Sequence, residues 1–114
     1  MTLRLTPETL EAGYDFLLTT APFKRWKLPP SDDVEFHVIR TKAIFADCVM
    51  DGETPVIRVS EGKNGHPLTL LTTLAHEMIH VRQFMEGDSG NHNSYFHKLA
   101  KQVCTIHGFD LKAF

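Results

Sequence analysis

The sequence predicts one α+β domain over residues 1–114: an N-terminal helix, a small three-stranded sheet, a long helix and a C-terminal helix. Three observations predict it. Apolar residues recur at helical spacing in three separate stretches. Between the first two stretches lie three short runs with the alternation or β-branching of strands. Glycine, proline and asparagine fall between the runs, where the chain must turn. With 114 residues, 42% of them hydrophobic and 23% charged, the chain has material for one core and one domain.

The elements follow in order. Thr6-Pro7 opens the first helix, threonine as cap and proline at the first helical position. Leu10, Tyr14, Leu17 and Leu18 form its apolar face, Gly13 weakens it, and it ends near Thr20, before Ala21-Pro22. Residues 34–40 alternate, with Val34, Phe36 and Val38 on one side and His37 on the other. Residues 43–50 are a second apolar run, Asp51-Gly52 signals a turn, and residues 56–60 are a third strand that pairs with the second as a hairpin. After a loop at residues 61–65, the long helix runs from about Pro67 to before Gly87, with Leu68, Leu71, Leu74, Ala75, Met78 and Ile79 as a broad apolar face. A second loop, residues 87–91, leads to a last helix over residues 93–106, which Gly108 terminates.

The long helix carries His76-Glu77-Met78-Ile79-His80, an H-E-x-x-H motif. Residues four apart share a helix face, so His76 and His80 can offer two imidazoles to one metal ion. Glu77 points beside that ion and suits a general base taking a proton from metal-bound water. A surface helix that happens to carry these residues is the plainer reading. The broad apolar face counts against it, because two histidines and a glutamate on a buried helix need partners. The metal this motif implies is Zn²⁺.

A zinc hydrolase site has three protein ligands and one water. After His80 the candidates are Glu86, Asp88, His92, His97 and His107. Phe96, Leu99, Ala100 and Val103 form the apolar face of the last helix, and His92 lies one turn before Phe96 on that face. His92 is the expected third ligand. His97 falls away from the apolar line, His107 lies at the far end, and Glu86 and Asp88 follow the long helix too closely to fold back.

These residues resemble the SprT-like, or Spartan-type, metalloprotease family. Its H-E-x-x-H is matched by residues 76–80, and its third histidine, opening the next helix in an H-G-x-x-F type element, by His92-Asn93-Ser94-Tyr95-Phe96. Val56-Ile57-Arg58-Val59-Ser60 resembles the family's last strand before the metal helix. The resemblance runs from about Ala12 to Gly108. It implies a minimal zincin-like domain and a zinc-dependent peptidase in which His76, His80 and His92 bind the metal and Glu77 is catalytic. It also implies action on DNA-associated proteins. The chain departs from the family in having Asn93 where glycine is usual, a short loop between the second and third histidines, and no Cys-x-x-Cys pairs of a zinc ribbon.

Other features bound partners and location. The net charge of -2 excludes a uniformly basic, nucleic-acid-binding surface. The alternation in Phe23-Lys24-Arg25-Trp26-Lys27 allows a local DNA contact through Lys24, Arg25, Trp26 and Lys27, with Trp26 stacking on a base. The other reading, a solvated turn with Trp26 folded onto the first helix, is favoured by the shortness of the patch. Cys48 and Cys104 read as buried reduced thiols. Residues 1–7 lack the apolar run of a signal peptide and no stretch is long enough to span a bilayer, so a cytoplasmic protein without membrane contact is expected. The expected substrate is a protein or peptide, bound in extended form along a sheet edge, with Tyr95 or His97 as oxyanion donor. Two alternatives differ in class. One is another zinc hydrolase, amidase-like or deformylase-like, with Cys48 as third ligand. The other is a non-catalytic module in which zinc staples two helices and His97, His107 or Cys104 closes the site.

Overall fold

Thr6 and Pro7 open the first helix, α1 (Pro7–Leu18), as their order predicts: the Thr6 hydroxyl accepts a hydrogen bond from the Thr9 N–H at 3.1 Å. The computed structural model describes residues 4–64 and 66–114; Met1, Thr2 and Leu3 of the N-terminal stretch and Gly65 of the loop before the long helix lie outside the described residues. The strands are β1 (Glu35–Ile39), β2 (Ala46–Asp51) and β3 (Thr54–Ser60). The two remaining helices are α2 (Pro67–Met85) and α3 (Ser94–His107). The domain is therefore α+β, with three helices and a three-stranded mixed sheet among the described residues.

The sheet order is β1-β3-β2. β2 and β3 form the expected antiparallel hairpin around Gly52, with Asp51 opposite Thr54, and β1 joins β3 in parallel, with Glu35 opposite Val56. β2 begins later than the apolar run suggests. Ala43, Ile44 and Phe45 are exposed; next to the Ala46–Val59 pair, the Phe45 carbonyl accepts from the Ser60 N–H at 2.8 Å and from the Asn64 side chain at 3.0 Å. Asn64 is fully buried and also accepts from the Thr73 hydroxyl at 2.6 Å, so the end of β3 is tied to the second turn of α2.

α2 is the central element, packed by α1, α3, β2 and β3. Its buried positions are Leu70, Thr73, Leu74, Ala75, Glu77, Met78, Ile79, His80, Val81 and Gln83, nearly the whole circumference of its middle turns. The expected face is correct from Leu74 onward and wrong at Leu68, which is 69% exposed. The first turn is covered on one side only: Leu70 is 3% exposed, while Pro67 and Leu68 face outward. Gly13 has a role that helix propensity hides: a Cβ there would stand 2.6 Å from Leu74 Cδ1, so its absence lets α1 and α2 approach closely. Tyr14, fully buried, donates to the Pro29 carbonyl at 2.7 Å and meets Phe36 edge-on. No helix among the described residues is long and apolar enough to cross a membrane.

Candidate metal centre

His76 and His80 stand on adjacent turns of α2, and their Nε2 atoms are 3.3 Å apart. His92 Nε2 completes a triangle, 3.2 Å from His76 Nε2 and 3.2 Å from His80 Nε2. The three expected ligands are thus brought together, close enough to bind one metal ion. Nitrogens about 3.2–3.3 Å apart suit a tetrahedral ion with bonds of about 2.0 Å. Phe96 floors the cluster, its ring centroid 5.0 Å from His76, 5.0 Å from His80 and 4.5 Å from His92.

His92 arrives by a different route from the one its spacing suggests. It precedes α3 and is not on the helix. Asn93 is the cap, its side chain accepting from the Phe96 N–H at 3.0 Å. The helical phase drawn through Phe96 therefore does not apply to His92, and the loop between α2 and α3 delivers it. Gly90 shapes that loop: it adopts φ +83°, and a Cβ there would stand 2.6 Å from the Phe84 ring. Asn93, which departs from the glycine of the family pattern, supplies the helix cap.

Electrostatics separate the two helical histidines from the carboxyl beside them. Burial, reinforced by His80 and His92, pushes the His76 imidazole down to about 3, partly offset by a hydrogen bond to the Phe114 backbone. Burial likewise lowers His80. Both rings are neutral near pH 7, the state that ligates metal. Glu77 is almost fully buried, and burial, with the nearby Asp47 carboxylate, raises its carboxyl to about 8. Asp47 is itself paired with Arg58, whose Nε donates to Asp47 Oδ1 at 2.7 Å.

A cleft of about 530 Å³ runs along His76 and Glu77. Its apolar lining includes Phe45, Leu68, Phe109 and Phe114. The Phe114 ring also lies 5.3 Å from His76, so the segment after α3 both lines the cleft and packs against that histidine.

Among the described residues, none of the remaining candidates joins the three histidines, although His107 also lines the cleft. His97 is exposed and meets only the edge of Phe96. Tyr95 is half-buried against the core. Neither makes a hydrogen bond to the three histidines among the described residues. His107 Nε2 lies 2.8 Å from the Ala21 carbonyl and 3.2 Å from the Thr20 hydroxyl, a tie between α3 and the end of α1. Cys48 and Cys104 are both free; Cys104 is buried as expected, while Cys48 is only half-buried. Burial and then the Glu77 charge hold the Cys48 thiol well above its ordinary range, but its sulfur does not join the ligand group. Trp26 is buried edge-on against Phe23, which leaves Lys24, Arg25 and Lys27 as the exposed cations of that stretch.

Sequence reasoning missed Gln83. It is fully buried and its Oε1 lies 2.8 Å from His80 Nδ1. The signal was present: position 83 is three residues after His80 and seven after His76, on the same helix face. No protein-family model matches this chain, and no curated protein matches it in sequence.

Proposed function

We propose that the domain is a zinc-dependent peptidase of the SprT-like, zincin type, in which His76, His80 and His92 hold Zn²⁺ and Glu77 is the general base. The observation that carries this reading is the convergence of three imidazole nitrogens beside a buried carboxylate, with a cleft running along both. The nitrogen spacing suits the zinc–imidazole bond of about 2.0–2.1 Å. When bound, the ion supplies positive charge: it lowers the pKa of water toward about 7, polarises a carbonyl and draws the Glu77 carboxyl back towards its ionised form.

The protein's own groups do the rest. Glu77 takes the proton from the attacking water and delivers it to the amine that leaves as the C–N bond breaks. Its desolvated carboxylate is a stronger base than one in water, as proton abstraction requires. Among the described residues β2 has one unpaired edge, since it lies outermost in the sheet, and its first residue lines the cleft. An extended substrate peptide would pair with that edge. Any contact with DNA would fall to Lys24, Arg25 and Lys27.

Ligand count weighs against the zinc-staple reading, because among the described residues no fourth His, Cys, Asp or Glu joins the three histidines. It also weighs against the deformylase-like reading, because the third ligand is His92 and not Cys48. The deciding experiment is cleavage of an unfolded protein by zinc-loaded wild type and Glu77→Gln, with and without DNA. Glu77→Gln is expected to keep one zinc per chain and lose about 10²–10⁴-fold in turnover. Near-wild-type turnover by Glu77→Gln would refute the mechanism.

A further inference from the structure

A second set of polar groups lies behind the histidine triangle, and its hydrogen bonds can be assigned one after another. Gln83 Nε2 is 2.9 Å from Asp88 Oδ1 and 2.8 Å from the Asn91 carbonyl oxygen. The carbonyl can only accept. Asp88 does the same: hydrogen bonds from the Gly90 backbone and the Asn93 side chain hold its carboxyl below the usual range, so it is ionised. That end of the Gln83 side chain must therefore be the NH₂ group. The other end is the amide oxygen, and it faces His80 Nδ1 at 2.8 Å. An amide oxygen only accepts, so Nδ1 carries the hydrogen. A neutral imidazole has one N–H, which leaves His80 Nε2 as a bare lone pair within the triangle.

The same carboxylate orients a second amide. Asn93 Nδ2 donates to Asp88 Oδ1 at 3.1 Å and to Oδ2 at 3.2 Å, which leaves Asn93 Oδ1 to accept from the Phe96 N–H. Asp88 thus sets Gln83 behind one ligand and Asn93 directly after another.

We propose that Gln83 is a positioning residue of the metal centre: its amide, oriented by Asp88 and the Asn91 carbonyl, locks His80 in the Nδ1–H tautomer that presents Nε2 as a ligand. The relay also ties the helix carrying His76 and His80 to the loop carrying His92, so all three nitrogens are set before an ion arrives. The metal role rests on the three-histidine reading above; the tautomer lock is testable without it.

The test uses the full chain as wild type, Gln83→Met and Asp88→Asn, each checked for folding by circular dichroism. Nitrogen-15 NMR of the His80 ring in metal-free protein at neutral pH reads the tautomer, and competition with a chelator for Zn²⁺ reads affinity. Wild type is expected to hold His80 as Nδ1–H. Gln83→Met is expected to mix in the Nε2–H form and bind zinc about 10–100-fold more weakly. Asp88→Asn, which retains the Asn91 carbonyl, should shift both readouts in the same direction by less. A Gln83 that served only for packing would change the melting temperature and leave the tautomer alone. His80 found as Nε2–H in wild type, or an unchanged tautomer and affinity in Gln83→Met, overturns the proposal. Should Gln83→Met fail to fold, Asp88→Asn decides: a partial shift supports the relay and no shift overturns it. Wild type with His80 as Nδ1–H that takes up no zinc supports the lock and overturns the metal reading.

Discussion

His92 and His107 flank the same helix, one just before α3 and the other at its last position, yet they do unrelated things. His92 Nε2 meets two other imidazole nitrogens at 3.2 Å. His107 Nε2 meets a backbone carbonyl at 2.8 Å and a hydroxyl at 3.2 Å. The first environment gathers three ring nitrogens close enough to bind one metal ion. The second is a complete hydrogen-bond site that needs an N–H and no ion. The residue type says nothing about which role applies; the partners decide it.

The largest expected effect breaks the comparison at His92. His92→Ala should lose zinc affinity by more than the about 10–100-fold that changing an outer partner costs, while the metal-free protein melts near the wild-type temperature because His92 is exposed. Chelation should then lower the melting temperature of wild type and leave that of His92→Ala unchanged. Elemental analysis and thermal melts check both. Zinc retained by His92→Ala at wild-type affinity would remove His92 from the site.

The next effect concerns pH in the metal-free protein. Glu77 is raised from 4.5 to about 8, so the folded state keeps a proton that the unfolded chain releases between those values. Its stability contribution is fully present below pH 4.5 and is lost as pH rises through about 8. His76 is lowered from 6.5 to about 3, so the unfolded chain gains a proton first, and stability is lost as pH falls from 6.5 toward 3. The metal-free domain should be most stable between about pH 4.5 and 6.5. Glu77→Gln removes the alkaline limb, so its melting temperature should gain on wild type from pH 4.5 to 8 and run parallel above that. A gap that does not widen across this range would count against a buried Glu77 carboxyl.

The smallest effect sharpens the comparison from the other side. His107→Ala leaves the Ala21 carbonyl without its partner and should cost about 1–2 kcal/mol in denaturant unfolding. Zinc stoichiometry should stay at the wild-type value. Loss of zinc in a folded His107→Ala protein would tie the two ends of α3 together in a way their hydrogen bonds do not.

Much of the molecule was legible beforehand, for local reasons. Thr6-Pro7, the Gly52 turn, the hairpin and the helix-period runs are short-range signals, and each became the element it suggested. His76 and His80 were legible because a helix places residues four apart on one face. The parallel pairing of β1 with β3 was not legible, because it joins strands that are not neighbours in sequence. The exposure of Leu68 was not legible either, since periodicity marks an apolar face and not how far the covering elements extend. His92 does lie close to the two helical histidines, but the helical phase used to choose it is one it does not have.

The sequence by itself determined the helical pair of histidines, the glutamate beside them and the order of elements, because these depend on contacts within about one turn of chain. Only the tertiary structure decided that the loop after α2 carries His92 to within 3.2 Å of both helical histidines. It also decided that Trp26 is buried and that Gln83 faces His80 with its amide oriented by Asp88. Each of these depends on where a loop or a neighbouring element closes in space, and that is set by packing across the whole core.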